Sequence, residues 1–194
     1  TLAAMREAKK RGAKTLAIVN VVGSSAAREA DSVLYTWAGP EIAVATTKGY
    51  TTQLIVMYLF AIYAAKKLEK ISASEYKELI EELKSLPKLI QQVLDMNPSI
   101  PELAKKYHSS DSMFFIGRNT DYAVALEAAL KMKEISYIHS EAYAAGELKH
   151  GSISLIEDGM LCVAIASQPA LYEKTVSNMV EVKSRGGYLF AITN

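Results

Sequence analysis

Apolar positions along the chain alternate between two kinds of run. Short, β-branched stretches at Thr15–Asn20, Ser32–Tyr35, Met113–Ile116, Leu161–Ala166 and Tyr188–Thr193 read as strands, the first as a strand buried on both faces. Longer stretches with helical spacing lie between them: Thr1–Arg11 stopped by Gly12, a short helix after Gly23-Ser-Ser25, Thr47–Leu68, Thr120–Ile138, and Leu171–Arg185 ended by Gly186-Gly187. The Thr47–Leu68 segment is apolar nearly all round, which predicts a buried helix. Ser72-Ala-Ser-Glu75 has the form of a capping box and opens a second long helix, with Glu75, Lys77, Glu78, Glu81, Glu82 and Lys84 on its wet face. Pro87 predicts a kink or a division in it. Thr36–Lys48 reads as a loop of small and hydroxylated residues, and Asn97–His108 as a polar connector with Pro98 and Pro101.

Strands alternating with helices imply parallel sheets flanked by helices. The mostly helical middle divides the pattern into two α/β units. The chain starts on a helix and stops on a strand, so both sheets are expected to be incomplete in this fragment. Composition narrows the classes further. With 22 Lys+Arg against 21 Asp+Glu, the net charge of +1 offers no general grip on a polyanion, and no nucleic-acid partner is expected. The longest unbroken apolar run, Leu54–Ala65, has 12 residues, shorter than the roughly 17–25 that span a bilayer. No membrane association is expected. The single cysteine, Cys162, excludes a disulfide framework and a Cys-rich zinc site, fits a reducing, cytoplasmic setting, and sits in a strand where it reads as core.

Three groups of residues can carry chemistry. On the Thr120–Ile138 helix, at about 100° per residue, Glu127, Lys131 and Glu134 fall within a sector of roughly 60°. Such a stripe is either a solvated face with an i, i+4 pair or a Glu–Lys–Glu cluster in a cleft. In a cleft, a partly desolvated Glu134 would be raised toward neutrality and suited to moving a proton at carbon, with Lys131 stabilising charge on a substrate oxygen. The second group is Glu141–Gly151, where two glycines bracket Glu147-Leu-Lys-His150. His150 reads either as a general acid/base or as a hydrogen-bonded surface histidine; His108 and His139 read only as the latter. The third is Val44-Ala-Thr-Thr-Lys48, where a loop meets a helix N-terminus that can hold an anion or a sugar hydroxyl, unless Thr46 or Thr47 simply caps it. No spacing suggests a metal site or a bound cofactor.

Together these segments resemble the isomerase region of the glutamine–fructose-6-phosphate aminotransferases. The resemblance runs along the whole chain and is strongest at Ala38–Lys48 with Thr51-Thr-Gln-Leu54, at Ala125–Glu127, and from Lys131-Met-Lys-Glu-Ile-Ser-Tyr-Ile-His139 into Glu141–Gly151. It implies two sugar isomerase (SIS) domains: the C-terminal part of one over residues 1–71, a helical linker over 72–103, and the N-terminal part of a second over 104–194. It implies conversion of fructose 6-phosphate and glutamine-derived ammonia into glucosamine 6-phosphate. Glu134 then takes the place of the base that moves a proton between C1 and C2. Lys131 and Glu127 match neighbouring active-site positions, and Val44 and Thr46 match sugar contacts. His150 matches the ring-opening histidine, which the family donates across a homodimer.

The family often has Ser at the position of Thr46 and Pro at that of Ser152; both changes are expected to be tolerated. Three departures weigh more. The family's phosphate-cradling Ser-rich loop would precede Thr1, its carbonyl-reactive lysine would lie beyond Asn194, and its glutaminase domain is absent from the sequence. The fragment alone is therefore expected to be inactive. Two other readings share the resemblance: a free-standing SIS-domain aminosugar-phosphate deaminase or isomerase, and a non-catalytic module that senses sugar phosphate. The second has little use for Glu134 or His150.

Overall fold

The computed structural model describes residues 1–96 and 100–194, so Asn97 and Pro98 of the expected connector lie outside the described residues. It separates into two compact units, Thr1–Met96 and Asn97–Asn194.

In the first unit, α1 (Leu2–Lys10), β1 (Leu16–Val19), α2 (Ser25–Glu29) and β2 (Ser32–Tyr35) are followed by α3 (Lys48–Lys67) and α4 (Ala73–Asp95). The strands pair in parallel, Leu16 with Ser32 through Val19 with Tyr35. The predicted capping box forms: Ser72 Oγ accepts from the Glu75 amide at 3.1 Å, and Glu75 Oε2 accepts from the Ser72 amide at 2.7 Å. Three expectations need correcting. Only Ala17 of β1 is buried, and α3 buries only Gly49 and Ile62 while Met57, Tyr58, Leu59, Phe60 and Tyr63 are exposed. A two-stranded sheet has too little area to cover a 20-residue helix that is apolar all round. Pro87 does not divide α4 either; it sits at an exposed position, where water can take the carbonyl that the missing amide leaves free.

The second unit contains α5 (Ile100–Tyr107), β3 (Ser112–Gly117), α6 (Thr120–Ser136), β4 (His139–Ala144), 3-10 turns at Ala145–His150 and Ser152–Leu155, β5 (Leu161–Ala166), α7 (Tyr172–Ser184) and β6 (Tyr188–Thr193). All four strands are parallel, in the order β4-β3-β5-β6. Alternate side chains of β3 and β5 face opposite layers. Phe114, Ile116, Cys162 and Ala164 pack with Val182 of α7 and with Ala145 and Leu148 of the turn, whereas Met113, Phe115, Leu161 and Ile165 pack with Ala125 and Ala129 of α6. Each large apolar side chain so buried contributes about 1.5–3 kcal/mol. Cys162 is core, as expected, and burial pushes its thiol up to about 12.

Two elements were not visible as such in the sequence. Part of the expected connector is α5, whose Tyr107 packs edge-on against Phe190 with ring centroids 5.0 Å apart. β4, His-Ser-Glu-Ala-Tyr-Ala, lacks β-branched residues and lies at a sheet edge, half-buried, so its pairing with β3 rather than its own propensity makes it a strand.

Candidate active site

In the first unit the parallel strands β1 and β2 end beside the start of α3, at the carboxyl edge where open α/β sheets take ligands. A cavity of about 560 Å³ lies there, lined by Asn20, Thr36, Trp37, Glu41, Thr46 and Gln53 among others. Asn20, at the end of β1, clamps the loop after β2: its Oδ1 accepts from Thr36 Oγ1 at 3.1 Å and from the Ala38 amide at 2.9 Å, while its Nδ2 donates to the Gly39 carbonyl at 2.6 Å. The start of α3 is not capped by a threonine hydroxyl. Thr47 makes no side-chain cap bond; instead Glu41 Oε1 accepts from the Gly49 amide at 2.8 Å. A carboxylate therefore already occupies this helix N-terminus, which turns the cavity toward hydroxyl groups and away from an anion. Of the two residues expected here, Thr46 lines the cavity, whereas Val44 does not and is 93% exposed.

In the second unit, β3 delivers α6 through Gly117, which is closely overlain by the Asp121 backbone. The first turn of α6 is tied to β5's end by buried Asp121, which accepts from the Ser167 amide at 2.9 Å and from Ser167 Oγ at 2.6 Å. Glu127, Lys131 and Glu134 come together as expected: Lys131 Nζ lies 2.5 Å from Glu134 Oε2 and 3.6 Å from Glu127 Oε1. The Glu134 hydrogen bond, with a smaller contribution from Glu127, raises the Lys131 ammonium above its ordinary value. Ala125 and Ala129 face the sheet, so the stripe lies about 180° around the helix from the core side. Leu126 and Leu130 flank it on one side and Val124 and Ile135 on the other, all exposed.

The water-poor crevice expected around Glu134 is not formed by these residues. Its side chain is 31% exposed and that of Lys131 19%, and a cavity of about 600 Å³ in this unit is lined by Ser109–Ser112, Glu141, Glu157 and Asp158 rather than by the stripe. An outward helix face needs a covering surface to become a cleft. His150 ends the 3-10 turn that follows β4 and is exposed, while Ala145 and Leu148 of the same turn are fully buried. Among the described residues no group of three His, Cys, Asp or Glu can hold a metal ion, and no helix is long and apolar enough to cross a membrane.

Sequence reasoning passed over Asn20, a polar residue that ends an apolar strand run, and that position is the signal that marks it.

Each unit has its own parallel sheet with polar side chains gathered at the strand ends, the SIS domain matches residues 1–63 and 106–194, and the chain belongs to that family. Among its relatives is the "Glutamine--fructose-6-phosphate aminotransferase [isomerizing]" of Caldanaerobacter subterraneus subsp. tengcongensis, 56% identical over 191 residues; these are 98% of this chain and 31% of the relative. The chain thus spans about a third of the length of the curated relatives it matches. Of solved structures, the C-terminal domain of glucosamine-fructose-6-phosphate aminotransferase from Francisella tularensis superposes with a TM-score of 0.97 at 39% identity, covering all of this chain and 54% of that one. A glucosamine-6-phosphate deaminase from Thermotoga maritima superposes at 0.75 with 27% identity, over 98% of this chain and 56% of that one.

Proposed function

We propose that this chain is the isomerase region of an enzyme that makes glucosamine 6-phosphate from fructose 6-phosphate and glutamine-derived ammonia. The observation that carries the reading is the Glu127–Lys131–Glu134 cluster, on one face of α6 within a chain 56% identical to an isomerizing aminotransferase. In this reading ammonia replaces the C2 carbonyl oxygen of the open-chain sugar as an imine, with loss of water. Glu134 takes the C1 proton and returns it to C2 while the O1 hydroxyl proton passes to the imine nitrogen, so the double bond moves from C2–N to C1–O and leaves an aldose with an amine at C2. Lys131, held charged by its carboxylate neighbours, stabilises negative charge on the substrate oxygen, and Glu127, paired with Lys131, binds the substrate beside it. His150 opens the sugar ring as a general acid/base. Thr46 and Val44 contact the sugar, Thr46 from the cavity at the end of β1 and β2.

The exposed apolar margins of the α6 stripe support assembly with a covering surface, which we assign to a second copy of the chain in a homodimer. The domains are taken as 1–71 and 104–194, joined by 72–103. A glutaminase domain in the full protein and a cytoplasmic setting complete the reading. The deaminase alternative is weaker, because identity falls from 39% to 27% between the two solved structures.

The test is Glu134→Gln in the full-length enzyme. General acid–base catalysis is worth roughly 10²–10⁴-fold. Exchange of the C1 hydrogen with solvent should fall by at least about 100-fold, while sugar-phosphate binding changes little. Exchange at the parental rate would remove Glu134 as the base.

A further inference from the structure

We propose that Arg118 is a positioning residue for His150, acting through a network that grips the Ala145–His150 turn; the inference rests on the ring-opening role given to His150 above. His150 is exposed and its imidazole makes no hydrogen bond to the described residues, so the backbone of its turn sets where the imidazole points. That turn is held at two places. At Gly146, the Arg118 guanidinium lies so close that a Cβ would stand 3.0 Å from Nη1, 3.1 Å from Nη2 and 3.2 Å from Cζ. At Lys149, one residue before His150, the ammonium lies 3.7 Å from Glu181 Oε1.

The two anchor points are connected. Arg118 donates from Nε and Nη2 to the single oxygen of the Asn178 carboxamide, at 3.2 and 2.9 Å. Asn178 is buried, and its Nδ2 donates onward to Glu181 Oε2 at 3.1 Å. The Arg118 carbonyl is itself fixed by Gln168 Nε2 at 2.7 Å. β3, α7 and the turn are thereby joined through polar groups that must keep their geometry to stay satisfied. Only a planar guanidinium can both lie flat against Gly146 and direct two donors at one oxygen; a lysine ammonium at the same place can do neither. A network kept only for stability could be replaced by apolar packing with little loss. One that ends beside a histidine with no anchor of its own fits a geometric task.

The experiment uses the full-length enzyme with Arg118→Lys, Gly146→Ala and Glu181→Gln, and His150→Ala as reference. Amide hydrogen exchange within 145–150 is expected to rise at least tenfold in Arg118→Lys and Gly146→Ala, with β5 and α7 amides unchanged. Turnover of fructose 6-phosphate should fall at least tenfold in these two variants and less in Glu181→Gln. Turnover of 5-deoxy-fructose 6-phosphate, which lacks the hydroxyl that closes the ring, should stay within twofold of parent. Unchanged exchange in the turn overturns the inference, as do equal losses on both substrates. Should Gly146→Ala fail to fold, Arg118→Lys carries the test. Selectivity for the cyclic sugar in His150→Ala but in none of the network variants removes the positioning role alone. Its absence in His150→Ala removes the ring-opening role and this inference with it.

Discussion

Gly117 sets the distance between β3 and the helix that carries the Glu127–Lys131–Glu134 stripe. A Cβ at this position would lie 2.5 Å from the Asp121 carbonyl carbon, 2.6 Å from its oxygen and 2.7 Å from the Tyr122 nitrogen. Comfortable contact between such atoms is about 3.5–4.0 Å, so Gly117→Ala must drive the start of α6 roughly 1 Å off the strand. The obstacle is backbone, which cannot rotate away as a side chain can, and this places the cost at the upper end of overpacking, about 3 kcal/mol. The displacement also strains the Asp121 bonds to Ser167. In urea unfolding of the full-length protein the folded-to-unfolded ratio should drop about 100-fold. A misplacement of about 1 Å can cost roughly 100-fold in turnover, so C1 hydrogen exchange should fall by a similar factor in protein that is still folded. An alanine variant that unfolds within about 0.5 kcal/mol of parent, well under the overpacking range, would refute the view that this glycine fixes the strand-to-helix spacing.

Asn20→Ala removes three hydrogen bonds to the loop after β2. At about 0.5–1.5 kcal/mol each, the loop should loosen by about 2 kcal/mol, seen as faster amide exchange at Ala38; unchanged exchange there would count against the clamp. The Asp31 carboxyl is held down to about 2, first by the Thr15 hydroxyl and amide and then by Lys9, against an ordinary 3.8. The unfolded chain therefore takes up this proton more readily than the folded one. The contribution of Asp31 to the β1–β2 unit is complete above about pH 4 and fades as the pH falls toward about 2. Asp31→Asn should flatten acid unfolding in that window, and an identical acid transition in the variant would contradict the assignment. Cys162, pushed up to about 12 in the core, should resist a thiol reagent at pH 8 until the protein is unfolded. Rapid labelling of native protein would show that the strand layer opens.

How far the sequence carried depended on whether a feature was local. The Ser72–Glu75 box, the strands Met113–Ile116 and Leu161–Ala166 and the Glu127–Lys131–Glu134 sector all follow from spacing along one element, and all three appear in the structure. β4 was missed because its strand character comes from pairing with β3, register by register, in a segment whose own residues favour no strand. Thr46 and Glu41 illustrate the same limit at the first cavity. The sequence pointed to the loop and the helix start, but which oxygen takes the Gly49 amide depends on how the loop folds back.

By itself, the order of residues determined the parallel α/β class, the capped α4 and the stripe of α6, because each is a matter of period and nearest neighbours. Only the tertiary structure decided that α3 remains largely exposed, that the stripe faces away from its own sheet, and that Arg118, Asn178, Glu181 and Lys149 form one chain of contacts around the His150 turn. Burial and long-range hydrogen bonding depend on what surface arrives from elsewhere in the fold, and local spacing carries no record of that arrival.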